Sequence, residues 1–146
     1  MHEAASRALV ANEIKVIGRL AATRKWELYS TEFPVIDIGF RNDGRSELRV
    51  RILAANWNDD PPSVVLLTAD GRPLAGSNVP KHPTGVFNAS PHPRTGAPFV
   101  CMAGTSEYHT HPSHLNDLWQ NYKIRDSHCL AGIATQVWSA WLKSAA

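Results

Sequence analysis

The chain has 146 residues, which is long enough for one domain that buries a core without disulfides or structural metals. Its composition, 43% hydrophobic and 19% charged, is that of an ordinary globular protein and excludes a disordered chain. The formal net charge is only +2 and the basic residues are spread through the sequence, so nothing indicates nucleic-acid binding.

The first residues of the chain do not have the pattern of a secretory signal or of a membrane span. The segment MHEAASRALVANEIKV carries an early glutamate and lacks the basic start and apolar core of a secretory signal. No apolar run approaches the length of a membrane span. We therefore expect a cytoplasmic protein, in which the two cysteines, Cys101 and Cys129, stay reduced.

The first predicted element is a helix from about residue 3 to 22, because apolar residues recur there at spacings of four, three and four. These residues are Val10, Ile14, Ile17 and Ala21. Three basic residues lie largely away from this stripe: Arg7, Lys15 and Arg19. They give the helix a basic outer edge, whose simplest interpretation is a solvated face.

Four segments with the pattern of strands follow: WELYSTEF, PVIDIGF, SELRVRILAANW and SVVLLTADGRPL. The dipeptides Asp43-Gly44 and Asp70-Gly71 favour hairpin turns, so the segments predict an antiparallel meander. From about residue 72 to 98, six prolines prevent long regular elements. An ordered loop of this length inside a compact domain is usually functional.

Two helices are predicted to close the chain. Ser113 is expected to cap the first, which contains Leu115, Leu118, Trp119 and Tyr122. Asp126 or Ser127 is expected to cap the second, which contains Leu130, Ile133, Val137, Trp138 and Trp141. Aromatic residues on these helices should be core, and Cys129 should be a buried packing residue. The elements together predict one α+β domain over residues 1–146.

The stretch FVCMAGTSEYHTHPSH, residues 99 to 114, holds most of the chemistry. It contains four residues of types that ligate zinc: Cys101, Glu107, His109 and His111. In an extended segment the last three would share one face. The same residues could instead surround a working thiol. His114 is expected only to begin a helix.

The order of these elements resembles the ubiquitin-conjugating enzyme fold. Locally, DDPPSVVLLT resembles that family's Pro-Pro-x-Val strand, and FNASPHPRTGAPFVC is similar to its His-Pro-Asn loop, with His92-Pro93 nine residues before Cys101. EYHTHPSHLNDLW takes the place of the Trp-Ser-Pro segment and the following helix. The set Cys101, Glu107, His109 and His111 matches the signature of a bacterial Cys-Glu-His-His family, once described as a predicted metal-binding domain.

The resemblance implies a conjugating enzyme that takes a ubiquitin-like protein from an activating enzyme as a Cys101 thioester and transfers it to a target amine. It needs no cofactor, and it would serve in antiviral defence, as in Bil-type operons. Glu107, His109 and His111 would handle the proton of the amine. The basic edge of the first helix would bind the activating enzyme.

The sequence departs from the eukaryotic motif at Arg94, which follows His92-Pro93 where that motif has asparagine. The group that stabilises the oxyanion is therefore open. The candidates are Asn88, His92, His109, His111 and the backbone amides of residues 102–104.

Two other classes of protein are alternatives. A closed zinc site of Cys101, Glu107, His109 and His111 would neutralise the thiolate, and an open site of the last three with bound water would indicate a zinc hydrolase. Structural zinc usually draws its ligands from two separated pairs, whereas these four lie within eleven residues. The third class, a binding module without catalysis, would normally lack the cysteine.

Overall fold

The computed structural model describes residues 1–145. Helix α1 (Glu3–Arg24) is followed by strands β1 (Glu27–Ser30), β2 (Val35–Phe40), β3 (Leu48–Leu53) and β4 (Ser63–Leu67). Then come β5 (Phe87–Asn88), β6 (Phe99–Val100), α2 (Ser106–Thr110) and α3 (Leu130–Lys143). Short 3-10 helices lie at Gly76–Asn78, Pro112–His114, Trp119–Asn121 and Asp126–His128. The predicted α+β arrangement, with an N-terminal helix, a four-stranded antiparallel sheet and C-terminal helices, is confirmed.

Helix α1 forms where the apolar stripe predicted it and extends two residues further. Val10, Ile17 and Ala21 are buried, which fixes the face that the helix presents to the core. The helix ends at Arg24, and the left-handed conformation of Lys25 (φ 59°) turns the chain so that the Trp26 amide donates to the Ala21 carbonyl at 3.0 Å.

Strands β1 to β4 form one antiparallel sheet in sequence order, as the meander predicted. In β2, Ile36, Ile38 and Phe40 are fully buried and alternate along the strand, so they face the core. The turn between β2 and β3 contains Gly44 at φ +77°, a conformation that favours glycine.

Helices α1 and α3 contribute to the same core as this face of the sheet. Ile133, Val137 and Trp141 of α3 are almost completely buried. The ring of Trp141 lies 6.0 Å from that of Phe40 on β2. As predicted, Trp119 and Trp141 are core residues. Within residues 1–145, no helix combines the length and apolar character required to cross a bilayer.

The long loop before Cys101 is held by few but well-placed hydrogen bonds. Strands β5 and β6 pair with each other, and the Cys101 amide donates to the Val86 carbonyl at 2.7 Å. His92 is buried inside the loop, where its amide donates to the Ala97 carbonyl at 2.9 Å. The bonds of Val86 and β5 hold the second half of the loop against β6 and Cys101, and the His92–Ala97 bond closes a turn within that half.

The helix expected from Ser113 to Tyr122 does not form, and that prediction was wrong. The segment consists of 3-10 helices separated by turns. Leu115 and Leu118, which suggested an apolar helix face, are 56% and 52% exposed. They do not pack against the core, so no burial of apolar surface stabilises a helix there. The Asp117 side chain accepts hydrogen bonds from Tyr108 of α2 and from Tyr122, and these bonds hold the segment in its irregular path.

The predicted caps of the last helix were also wrong. Asp126 and Ser127 belong to a 3-10 helix, and the N-cap of α3 is Cys129, whose sulfur accepts a hydrogen bond from the Gly132 amide at 3.3 Å. Cys129 is only partly buried and precedes the helix. It packs against the core, but its main local contact is this cap.

Candidate active site around Cys101

Cys101 directly follows strand β6 and is partly buried. Its position is fixed by the bond from its amide to the Val86 carbonyl. Partial burial raises the pKa of the Cys101 thiol, because burial disfavours the charged thiolate. A reactive thiol at this position therefore needs a neighbouring group that accepts its proton or stabilises its charge.

The side chain within hydrogen-bond distance of this thiol is His114, whose Nε2 atom lies 3.5 Å from the Cys101 Sγ atom. His114 ends the 3-10 helix Pro112–His114, which brings the chain back toward the cysteine after α2. The expectation that His114 only begins a helix was wrong. The His114 ring is stacked on the Tyr108 ring, with centroids 4.0 Å apart and an interplanar angle of 13°.

Asp117 accepts two tyrosine hydroxyls beside this pair. The Tyr108 hydroxyl donates to Asp117 Oδ2 at 2.6 Å, and the Tyr122 hydroxyl donates to the same oxygen at 2.7 Å. These bonds, first that of Tyr108, lower the pKa of Asp117. They also raise the pKa values of both tyrosines. Asp117 is therefore ionised at neutral pH, and both tyrosines are hydrogen-bond donors.

His109 has both ring nitrogens committed to the backbone. The Gly104 amide donates to His109 Nε2 at 3.0 Å, so the proton of the neutral ring is on Nδ1, which donates to the Asp117 carbonyl at 2.7 Å. The ring also lies among aromatic residues, with Tyr122 at 5.6 Å and Trp119 at 6.0 Å between centroids. His109 thus connects the turn after Cys101 to the Asp117 segment.

Glu107 points to the sheet and bonds there. Its Oε1 atom accepts from the Val64 amide at 2.8 Å, and its Oε2 atom accepts from the Ser63 hydroxyl at 2.5 Å. The side chain is buried, and burial raises the pKa of Glu107 although both bonds favour the carboxylate. This carboxyl joins α2 to the start of β4.

The expectation that Glu107, His109 and His111 share one face was wrong, because the segment is helical. Thr105 caps α2 by accepting from the Tyr108 amide, and successive residues then rotate by about 100°. His111 follows the helix. Its ring stacks on Phe99 at 5.6 Å, and its Nδ1 atom accepts from the Ser113 amide.

The proposed zinc ligands do not converge. Among residues 1–145, no three histidine, cysteine, aspartate or glutamate side chains are placed to hold a metal ion. Both carboxylate oxygens of Glu107 and both ring nitrogens of His109 already have other partners. The structure therefore gives no support to the closed or the open zinc site.

The histidine of the loop, His92, has its ring nitrogens bonded on both sides. The Arg94 amide donates to Nδ1 at 3.0 Å, which leaves the proton on Nε2 for the Glu107 carbonyl at 2.9 Å. Asn88 accepts from the Ser90 amide through its side-chain oxygen. His92 therefore anchors the loop to α2, and neither ring nitrogen is available to an oxyanion.

The turn after Cys101 contains the remaining oxyanion candidates. The Gly104 amide is used by His109, whereas the amides of Met102 and Ala103 donate to no other protein atom within residues 1–145. Backbone amides next to a nucleophile are the usual donors to a developing oxyanion. These two amides directly follow Cys101 in the chain and are therefore candidates for this role.

The basic edge of α1 lies elsewhere on the surface. Arg7, Lys15 and Arg19 are all exposed. The Arg7 guanidinium lies 4.7 Å from the centre of the Phe33 ring and 3.6 Å from Glu3. The edge is available to a partner protein.

The fold and site together define an α+β protein with a cysteine–histidine pair at the end of a long loop. Over residues 86–145, less than half of the chain, the sequence is similar to a family described as Y4jH-like, the Y4jH family. That segment begins one residue before β5 and includes Cys101, His114 and Asp117. No curated protein matches the chain.

Proposed function

We propose that the protein is a ubiquitin-like-protein conjugating enzyme of the Cys-Glu-His-His type, with Cys101 as the residue that carries the acyl group. The observation that carries this proposal is the Cys101–His114 pair, in which Sγ and Nε2 are 3.5 Å apart directly after the long loop. Several classes of protein use a catalytic cysteine. The position of Cys101 after a helix and a four-stranded meander supports the conjugating enzyme among them.

The first half-reaction is an exchange of thioesters. The Cys101 thiolate attacks the carbonyl carbon of the ubiquitin-like protein's C-terminal thioester, and the thiolate of the activating enzyme leaves. His114 accepts the proton of the Cys101 thiol, which offsets the effect of burial on thiolate formation. The amides of Met102 and Ala103 donate to the oxyanion of the tetrahedral intermediate.

The second half-reaction transfers the acyl group to an amine. The amine nitrogen attacks the thioester carbonyl, a C–N bond forms, and the C–S bond to Cys101 breaks as its thiolate leaves. The amine must lose a proton, because the free base is the nucleophile. The Nε2 atom of His114 is adjacent to the reacting sulfur, whereas the Glu107 carboxylate bonds to strand β4, so we assign this proton to His114.

The test is a charging assay with an activating enzyme and a ubiquitin-like protein of a Bil-type operon, ATP and Mg²⁺. A covalent adduct that disappears with reductant identifies a thioester. Cys101→Ser should give a more stable oxyester, Cys101→Ala should give no adduct, and Cys129→Ser, which keeps a good helix cap, should charge normally.

Two results would overturn the proposal. One is a labile adduct that persists in Cys101→Ala. The other is absence of any adduct on the wild-type chain under conditions in which the activating enzyme itself becomes charged.

A further inference from the structure

The Asp117 side chain bonds to neither Cys101 nor the His114 ring, although the Asp117 amide donates to the His114 carbonyl at 3.0 Å. Its Oδ2 atom accepts the Tyr108 hydroxyl at 2.6 Å, and the Tyr108 ring is the surface on which His114 stacks. We infer that Asp117 is a positioning residue that acts through Tyr108, holding His114 against Cys101 and stabilising its protonated form. This inference rests on the proposed role of Cys101 as nucleophile.

Asp117 helps to fix the position of the His114 ring. A ring stacked at 4.0 Å and 13° can slide and rotate unless its partner is fixed. The Tyr108 ring is fixed at both ends, because its backbone belongs to α2 and its hydroxyl bonds to Asp117. The Tyr122 hydroxyl, at 2.7 Å, holds the Asp117 carboxylate from the other side. The His114 ring therefore rests on a surface whose orientation depends on Asp117.

The negative charge of Asp117 also favours a protonated His114 ring. When the thiol proton moves to His114, an imidazolium and a thiolate are formed together, and a nearby carboxylate favours the imidazolium. The groups that face His114 are Cys101, Tyr108, His111 and, beyond Tyr108, the Asp117 carboxylate. The groups that face Asp117 are Tyr108, Tyr122 and His109. The Arg125 guanidinium lies 4.6 Å from the centre of the Tyr122 ring. Asp117 is the acidic member of this cluster, and its lowered pKa keeps it charged at neutral pH.

The experiment measures the rate at which iodoacetamide alkylates Cys101 as a function of pH. The thiolate displaces iodide and forms a thioether, so the rate reports the thiolate fraction without any partner protein. All proteins carry Cys129→Ser, which leaves one thiol, and a chelator removes adventitious metal. Thermal unfolding of each variant confirms that it is folded.

Asp117→Asn keeps an oxygen that can accept the Tyr108 hydroxyl but removes the charge. We expect its alkylation rate at pH 7 to fall roughly threefold to tenfold, with the midpoint of the pH profile moved to higher pH. Asp117→Ala, which also releases Tyr108, should lose more. The matched control is Tyr29→Phe on strand β1, at the opposite edge of the sheet from β4, which removes a tyrosine hydroxyl bonded to the Glu47 carboxylate; its profile should match the wild type.

A double variant separates this role from general structural damage. If Asp117 acts through His114, then Asp117→Asn should have no further effect on alkylation in a His114→Gln background. Equal effects of Asp117→Asn in both backgrounds, or a wild-type profile for both Asp117 variants, would overturn the inference. Failure of the charging assay with the predicted alkylation profiles would count against the conjugating function alone.

Discussion

The Glu107 carboxylate and the Val64 amide join helix α2 to the sheet through a hydrogen bond of 2.8 Å. Val64 lies in β4, an edge strand of the four-stranded sheet, so Glu107 covers the part of that edge next to Val64. Ser63 donates to the second carboxylate oxygen. Glu107 was predicted from the sequence to accept a proton from the substrate. In the structure its carboxylate bonds to Ser63 and Val64 instead.

Replacing Glu107 should therefore affect stability more than catalysis. Glu107→Ala leaves the Val64 amide without its acceptor and should lower the free energy of unfolding by about 1–3 kcal/mol. Glu107→Gln keeps an acceptor for that amide, so it should cost less and should transfer the acyl group at the wild-type rate. Urea unfolding and single-turnover discharge measure the two effects. Slow discharge by a stably folded Glu107→Gln would restore the catalytic assignment.

The pH dependence of Glu107 provides an independent check. Its pKa is raised in the folded protein by burial, so its contribution to stability is full below the ordinary glutamate pKa and is lost as pH rises through the folded value. The wild type should consequently gain stability relative to Glu107→Gln as the pH is lowered from 7 toward 4.5. Urea unfolding of both proteins at each pH measures this difference, and an opposite trend would contradict the assigned direction.

His114→Gln should separate charging from discharge. The variant keeps Cys101 but lacks the imidazole 3.5 Å from it, so the acceptor amine loses its proton acceptor. Charging should slow moderately, and single-turnover discharge at pH 7 should slow by roughly a hundredfold. Higher pH should partly restore discharge, because more of the amine is already deprotonated. Unchanged discharge in His114→Gln would remove His114 from the mechanism.

His109→Ala should slow charging and discharge by similar factors, because His109 holds the Gly104 amide and the Asp117 carbonyl and takes no proton from the substrate. A stability loss of about 1–3 kcal/mol should accompany it, since two backbone groups lose their partners. The control is His82→Ala, a histidine with only local bonds to Thr84. Loss of discharge alone in His109→Ala would indicate direct proton transfer.

The His128 ring lies against Gly104 in the turn after Cys101, and acid should destabilise the fold through this histidine. Burial, and then the charge of Arg125, lower the pKa of His128, so the neutral ring stabilises the fold above the ordinary histidine pKa. That stability is lost as pH falls through the folded value. The wild type should therefore lose stability relative to His128→Gln between pH 7.5 and 5. Parallel urea titrations of the two proteins at both pH values test this.

The basic edge of α1 is predicted to steer the activating enzyme. Reversing Arg7 and Lys15 to glutamate should slow thioester formation at low salt and make its rate less sensitive to salt, because exposed charges act mainly on association. The matched control reverses Arg72 and Lys81, which are exposed away from α1. Equal charging rates for both double variants would leave the edge without this role.

The sequence predicted the parts of the fold that repeat a local pattern. Helix α1 follows a stripe at helical spacing, and strand β2 alternates buried residues at Ile36, Ile38 and Phe40. The same rule failed at Leu115 and Leu118, because their spacing is helical but nothing in the fold packs against them. Helical spacing of apolar residues indicates an apolar helix face, but the helix is stable only where the fold packs another element against that face.

The sequence predicted that Cys101 follows the long loop, but it did not predict which side chains surround it. Cys101 follows from its place after the loop, whereas His114 reaches it only because the chain reverses at Pro112 after a five-residue helix. The helix also turns Glu107 toward β4. Asp117 left no signal, since its role depends on hydroxyls of Tyr108 and Tyr122 that come together in three dimensions.

The turn at residues 93–96 is open to changes in length. These four residues are exposed, and the chain is closed just outside them by the bond from the His92 amide to the Ala97 carbonyl. Insertions there would lengthen a loop whose ends are already held, which costs little free energy because closure entropy grows slowly with loop length. A short epitope or an additional recognition segment placed between Pro93 and Gly96 should therefore leave Cys101 in position.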